Sequence, residues 1–150
     1  MMLLTSTGIN MATVLTGELL TNVIHHSAKG LKVFYSFISE SGESVITKKY
    51  HDDLDLLDIP FKLQLITNWL KQNNMEKIKS NNNLEILYNG INESCNIISN
   101  TITSINNRIE EHKSKWFHNW RTLYLEDLMD TLKKNTSILN ERLKLVNFIN

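Results

Sequence analysis

Between residues 84 and 123 the chain carries an apolar heptad repeat that runs without a slip. One row is Tyr88, Cys95, Ile102, Ile109, Trp116 and Leu123. The other is Leu84, Ile91, Ile98 and Ile105, followed by His112 and Asn119. The rows alternate in steps of three and four, the spacing of a helix packed along its length against other helices. No other stretch of the chain is as regular, so an all-α fold is the first expectation.

What the seam packs against is the next question. Isoleucine in both rows disfavours a plain parallel dimer and suits three or four helices around a common axis. Either several chains or one chain could supply them. The first half carries apolar faces of its own that need a partner, which favours a bundle closed within the chain.

Past Leu123 the register changes. Leu125, Leu132, Leu139 and Val146 form one new row, and Leu128, Asn135, Arg142 and Ile149 the other. An unbroken helix from 84 to 148 would span roughly 97 Å at about 1.5 Å per residue, too long for a domain of this size. The expectation is an antiparallel hairpin turning in or near Glu111–His118, with a further break at Lys133–Ser137.

The first half holds the strong breakers. The chain has one proline, Pro60, and its five glycines all fall at or before Gly90. Residues 11–38 recur at helical spacing, although Leu31, Val33, Tyr35 and Phe37 also alternate and could pair with 45–50 as a hairpin; helix is preferred. Ser39–Ser44 reads as a loop and His51–Asp58 as an acidic link, so a loop is expected near 39–58. Ile59-Pro60 opens a helix whose wide apolar face is Ile59, Leu63, Ile66 and Leu70, flanked by Phe61, Leu65 and Trp69. Asparagines at 73–74 and 81–83 bracket a weak segment, Met75–Ser80. The fold expected is an all-α bundle of four to six helices with a long C-terminal antiparallel helical hairpin. It forms one domain over 1–150, with N-terminal helices in 1–74 and the heptad-patterned pair in 84–150.

Charge narrows the function classes. Lys plus Arg and Asp plus Glu are both 16, giving no net charge, and the two halves are each close to balance. No basic field exists to bind a phosphate backbone, so no nucleic-acid partner is expected. A neutral surface gives little protection against self-association. Hydrophobic residues at 41% and charged residues at 21% are ordinary for a globular chain.

The single cysteine, Cys95, excludes an internal disulfide. Met1–Leu4 lacks a basic flank, so no signal peptide is read, and no stretch is apolar for long enough to span a bilayer. The sequons at Asn92 and Asn135 are accordingly given no weight. An intracellular, cytoplasmic location is the default expectation. Nineteen asparagines and 16 isoleucines point to an AT-rich genome, such as that of a large DNA virus, which keeps a virion component in view.

No catalytic, cofactor or metal site is expected. His25, His26, His51, His112 and His118 show no zinc-type pair spacing. Asp52, Asp53, Asp55 and Asp58 lack the glycine and the terminal glutamate of a calcium loop, and read instead as carboxylates facing the positive end of the next helix. Cys95 on an apolar row reads as a small buried hydrophobe rather than a nucleophile.

Trp116, Phe117, Trp120 and Tyr124, interleaved with Lys113, Lys115, His118 and Arg121, read first as core, then as a protein-binding hot spot, and last as a nucleic-acid contact. The function expected is a non-enzymatic interaction or assembly subunit, binding a protein partner or its own copy through helices. The residues expected at the partner surface are Trp116, Trp120, Leu125, Leu132, Leu139, Val146 and Ile149, provided the C-terminal helix is not fully packed. A compact groove-binder of the Bcl-2-like viral type is the alternative, by analogy of fold class alone.

Overall fold

The computed structural model describes residues 17–41, 45–114 and 123–149. Every regular element among them is a helix: α1 (Gly17–Glu40), α2 (Val45–Leu57), α3 (Ile59–Gln72), α4 (Met75–Ser80), α5 (Asn82–Lys113), α6 (Glu126–Lys144) and α7 (Val146–Ile149). Five of these are long and two are short, of six and four residues, an all-α bundle.

The heptad helix, α5, lies at the centre. Its described seam residues, from Leu84 and Tyr88 through Ile105 and Ile109 to His112, are all buried. So are Leu87, Asn92, Ser94, Ser99 and Thr101, which broaden the buried face well beyond two rows. A helix buried that widely needs neighbours on several sides, and α1, α4, α6 and α7 pack on it. The chain's own helices therefore cover the seam. Each fully buried Ile or Leu contributes about 1.5–3 kcal/mol over an exposed one.

Helix α1 runs parallel to α5. Three contacts in the same order along both helices show it: His26 with Thr103 at 3.3 Å, Asn106 Nδ2 donating to Gly30 O at 2.9 Å, and Lys113 with Glu40 at 3.0 Å. Helix α6 runs antiparallel. Arg108 near the end of α5 holds Asp127 at 2.6 Å, while Arg142 near the end of α6 reaches Gly90 O, Glu93 (3.1 Å) and Ser94 (2.9 Å) near the start of α5. Helices α2 and α3 close the remaining side. α3 packs on α1 and α6, and α2 reaches α6 through Lys49–Glu126 (2.6 Å) and Lys133–Asp53 (3.1 Å).

Several expectations are corrected here. The hairpin alternative for 31–50 fails, because both strands of it lie in helices. The loop expected near 39–58 is helical at 39–40 and over 45–57, and residues 42–44 lie outside the described residues. Residues 45–57 form α2, whose Tyr50 and Leu54 are buried and whose Ile46 and Leu57 pack against the core. Its carboxylates make it read as a link, but Asp52 and Asp55 face solvent while Asp53 turns to Lys133 of α6. Helix α6 runs through 133–137 without a break. Its core positions are Leu125, Leu132, Leu139 and Val146 with Met129, Thr136 and Leu143, which widen the second row expected, whose Leu128 packs on the core and whose Asn135 is buried. Asn135 bonds its own helix at Thr131 O (2.8 Å), and Arg142 lies on the rim of the α5–α6 contact. The expected turn overlaps the end of α5 at Lys113; residues 115–122 lie outside the described residues.

The asparagine tracts act as caps. Asn74 Oδ1 accepts from Lys77 N (2.8 Å) at the start of α4. Asn81 Oδ1 accepts from Asn83 N (3.0 Å) and Leu84 N (3.2 Å) at the start of α5. Both satisfy first-turn N–H groups that have no partner within the helix. At the α2–α3 joint, Asp58 takes the left-handed conformation (φ 50°), a backbone region that Asp tolerates better than most residues.

Two glycines mark the helix crossings, and they differ. A Cβ on Gly30 would meet Ile102 Cγ2 at 2.7 Å, a methyl held rigidly by a β-branched side chain. A Cβ on Gly90 would meet Arg142 Cδ at 3.4 Å, ordinary contact. Gly30→Ala is therefore expected to destabilise by about 1–3 kcal/mol, overpacking outweighing the roughly 1 kcal/mol gained in helix propensity. Adding Ile102→Ala should cost less than the sum of the two single changes. Gly90→Ala should be neutral or stabilising. Urea melts of the four variants check the signs; equal destabilisation at the two glycines would contradict the crossing described.

Three tyrosines tie helices together. Burial pushes Tyr88 up from 10.0 to about 12, with its hydroxyl bonded to the Leu20 backbone. Burial, then a hydrogen bond to Asp55, pushes Tyr35 up from 10.0 to about 12. Tyr50, bonded to the Leu125 backbone, is raised as well, chiefly by burial. A raised folded-state value means the native chain holds these protons more tightly than the unfolded one. That stabilisation is complete below about pH 10 and is lost as pH rises through about 12. Helical circular dichroism should fall across that window in step with tyrosinate absorbance. Tyr88→Phe should lower stability at neutral pH by about 1 kcal/mol yet flatten the alkaline slope; an unchanged slope would contradict the account.

Candidate functional site

The residues expected at a partner surface divide three ways. Leu125, Leu132 and Leu139 are fully buried in the core and unavailable to a partner while the bundle is closed. This corrects their reading as a docking row: the condition that α6 be incompletely packed is not met. Val146 is half-buried and packs against the same core. Trp116, Trp120 and the side chain of Ile149 lie outside the described residues.

The nucleophile and metal readings find little to build on. Cys95 is buried on α5, and burial pushes its thiol from 9.0 up to about 12. A thiol held neutral and away from solvent is a poor nucleophile. His51, Asp52 and Asp55 do bring donor atoms within 4.8 Å of one another on the exposed side of α2. The i, i+4 spacing of His51 and Asp55 was legible in the sequence once that stretch is taken as helical. Those groups already satisfy each other: His51 Nδ1 pairs with Asp55 at 3.2 Å, Lys48 with Asp52 at 3.2 Å, and the Tyr35 hydroxyl donates to Asp55 at 3.0 Å. The carboxylates do not serve the start of α3 as expected. Asp53 goes to Lys133, and Asp58, at the cap position, makes no side-chain cap bond. The two sequon asparagines, Asn92 and Asn135, are buried within helices, where no glycan could be attached to the folded chain.

The surface offers a clearer feature. Helix α3 buries Ile59, Leu63, Ile66 and Trp69. Its apolar face is wider than the bundle can cover, so Phe61 stays 53% exposed and Leu65 45% exposed. Leu56, in the last turn of α2, is 83% exposed. The exposed positions of α3 from 60 to 68 are Pro60, Phe61, Gln64, Leu65 and Asn68, none of them charged. Lys62 on the flank is partly buried and turns its ammonium back to Leu57 O.

A helix side facing water ordinarily carries charge. Depletion of charge around an aromatic and aliphatic centre is the compositional mark of an interface core. Four other exposed apolar side chains lack that setting. Phe148 and Leu145 sit among Glu141 and Lys144, and Ile86 and Ile97 flank Glu93 on α5. The sequence places Phe61, Leu65 and Trp69 alike on the flanks of that apolar face, and of the three only Trp69 is buried. The cue that could have separated them is the width of the apolar arc, more than one helix face can bury.

The arrangement can bind; its chemistry is burial of apolar area around an aromatic anchor. Charge frames it. Asp55 and Asp58 are exposed at the N-terminal end of α3, and Lys71 is exposed in its last turn.

For Cys95 the expected outcome is no reaction with a disulfide reagent at pH 8 in the native chain, and full reaction in denaturant. Fast native labelling would show that α5 is not covered as described. Comparison with known proteins finds no matching family model, no matching curated protein and no matching solved structure.

Proposed function

We propose that this chain is a non-enzymatic interaction or assembly subunit that docks protein through the outer face of α3. The observation that carries the reading is the uncharged exposed face of α3 built around Phe61 and Leu65. Those side chains cost free energy in water, and covering them recovers it at about 25 cal/mol per Å² of apolar area. Phe61 is the anchor, Leu65 completes the apolar centre, and Gln64 and Asn68 supply adaptable hydrogen bonds around it.

The surface thus shifts from the C-terminal helix, whose leucines the core consumes, to the second half of the N-terminal region. The closed bundle acts as a rigid support that presents one helix face. A docking role also accounts for the wide apolar arc of α3, which core packing alone leaves in excess.

The experiment is site-specific photocrosslinking. Benzoylphenylalanine placed at position 61 should give one discrete adduct in the native host, identified by its peptides in mass spectrometry. The same group at Ser104, exposed on α5, should give none. Absence of an adduct at 61, or equal yields at the two positions, would overturn the proposal.

A further inference from the structure

We infer that the occupant of the α3 face is a second copy of this chain, docked antiparallel about a two-fold axis between Gln64 and Leu65. This rests on the reading of that face as a docking surface and adds the partner.

Three observations point to self-docking. First, the exposed face carries no charge from Pro60 to Asn68, so two copies meet without burying an unpaired ion. Second, the charges at the two ends have opposite sign. Asp58 stands exposed at the N-terminal end, while Asp52 is already paired to Lys48 and Asp55 to His51 and Tyr35. Lys71 stands at the C-terminal end, followed on α4 by Lys77 and Lys79 against Glu76. Antiparallel pairing sets the acidic end of each copy against the basic end of the other, whereas parallel pairing would set like against like. Third, the chain has no net charge, so no long-range repulsion opposes the approach of two copies.

The spacing is consistent with one register. An axis between Gln64 and Leu65 brings Asp58 opposite Lys71 of the second copy, and Lys71 opposite its Asp58. The same axis sets Phe61 opposite Asn68, in the gap next to Gln64 and Leu65 of the other helix. Each Phe61 then fills the space beside the other copy's Leu65, twice over by symmetry, as an isologous contact requires. Leu56 lies just outside this contact, next to the acidic end.

Sedimentation velocity and light scattering of the full chain, from micromolar to near-millimolar concentration at low salt, test this. A reversible dimer is expected. Phe61→Glu should weaken it at least about tenfold with the melting temperature little changed, because the position is exposed. Asp58→Lys and Lys71→Asp should each weaken it by about five- to tenfold, since each reversal acts at two symmetric contacts. Asp58→Lys together with Lys71→Asp should return the dimer to within about twofold of the parent. Melts of each variant register any strain at the left-handed position 58.

A chain that stays monomeric throughout overturns the self-docking inference. If position 61 then still crosslinks to a different protein, the docking reading stands without it; if position 61 yields no adduct, both fall. A dimer indifferent to Phe61→Glu shows that the copies meet elsewhere. A dimer that the double reversal does not restore overturns the antiparallel arrangement.

Discussion

Everything in this fold depends on covering the broad apolar face of α5. Thirty-two residues long, it spans about 48 Å at 1.5 Å per residue, and its seam is buried from Leu84 to His112. One flanking helix could not remove that much surface from water. The parallel α1 takes one side, the antiparallel α6 takes another, and α2 with α3 closes the bundle across from α5. The short helices α4 and α7 finish the region where α5 begins.

Specific contacts at the crossings turn that burial into one arrangement. Gly30 lets α1 approach Ile102 more closely than any Cβ would allow, and Asn106 fixes the depth by donating to Gly30 O. Arg142 sets the end of α6 by donating to Gly90 O and Ser94. The Arg108–Asp127 pair marks the other end, with Asp127 held below the usual carboxylate range by its hydrogen bond to the guanidinium. Such exposed pairs add little stability; their value is in register. With α1, α5 and α6 so placed, α3 has more apolar surface than the bundle can receive. The proposed docking face is that surplus.

Much of this was legible in the sequence, for physical reasons that separate the successes from the misses. The heptad period on α5 translates directly into a buried seam, because a face repeating every 3.5 residues has one orientation that covers it. The asparagine tracts were legible as breaks, and their capping geometry explains why. The stretch from His51 to Asp58 reads as a link because its four carboxylates outnumber Leu54 and Leu57, and only tertiary contact shows that these, with Tyr50, hold it in the bundle. The second row of α6 is wider than a heptad predicts, with Met129 and Thr136 buried beside Leu128 and Asn135, because this helix packs on more than one neighbour. Leu125, Leu132 and Leu139 were assigned to a partner for lack of a visible intramolecular one, which α5 supplies. Phe61 and Leu65 could not be separated from the α3 core by periodicity, since exposure there depends on how much of a wide face the neighbours reach.

The central claim is that α5 is the helix on which the others are assembled. Native-state hydrogen exchange across increasing denaturant tests it most directly. Amides of α5 between Ile91 and Ile109 should exchange only through global unfolding, with the highest protection in the chain, while α2 and α7 open at lower free energy. Protection in α5 below that of α1 or α6, or its release in a sub-global step that leaves those two helices intact, would contradict the account.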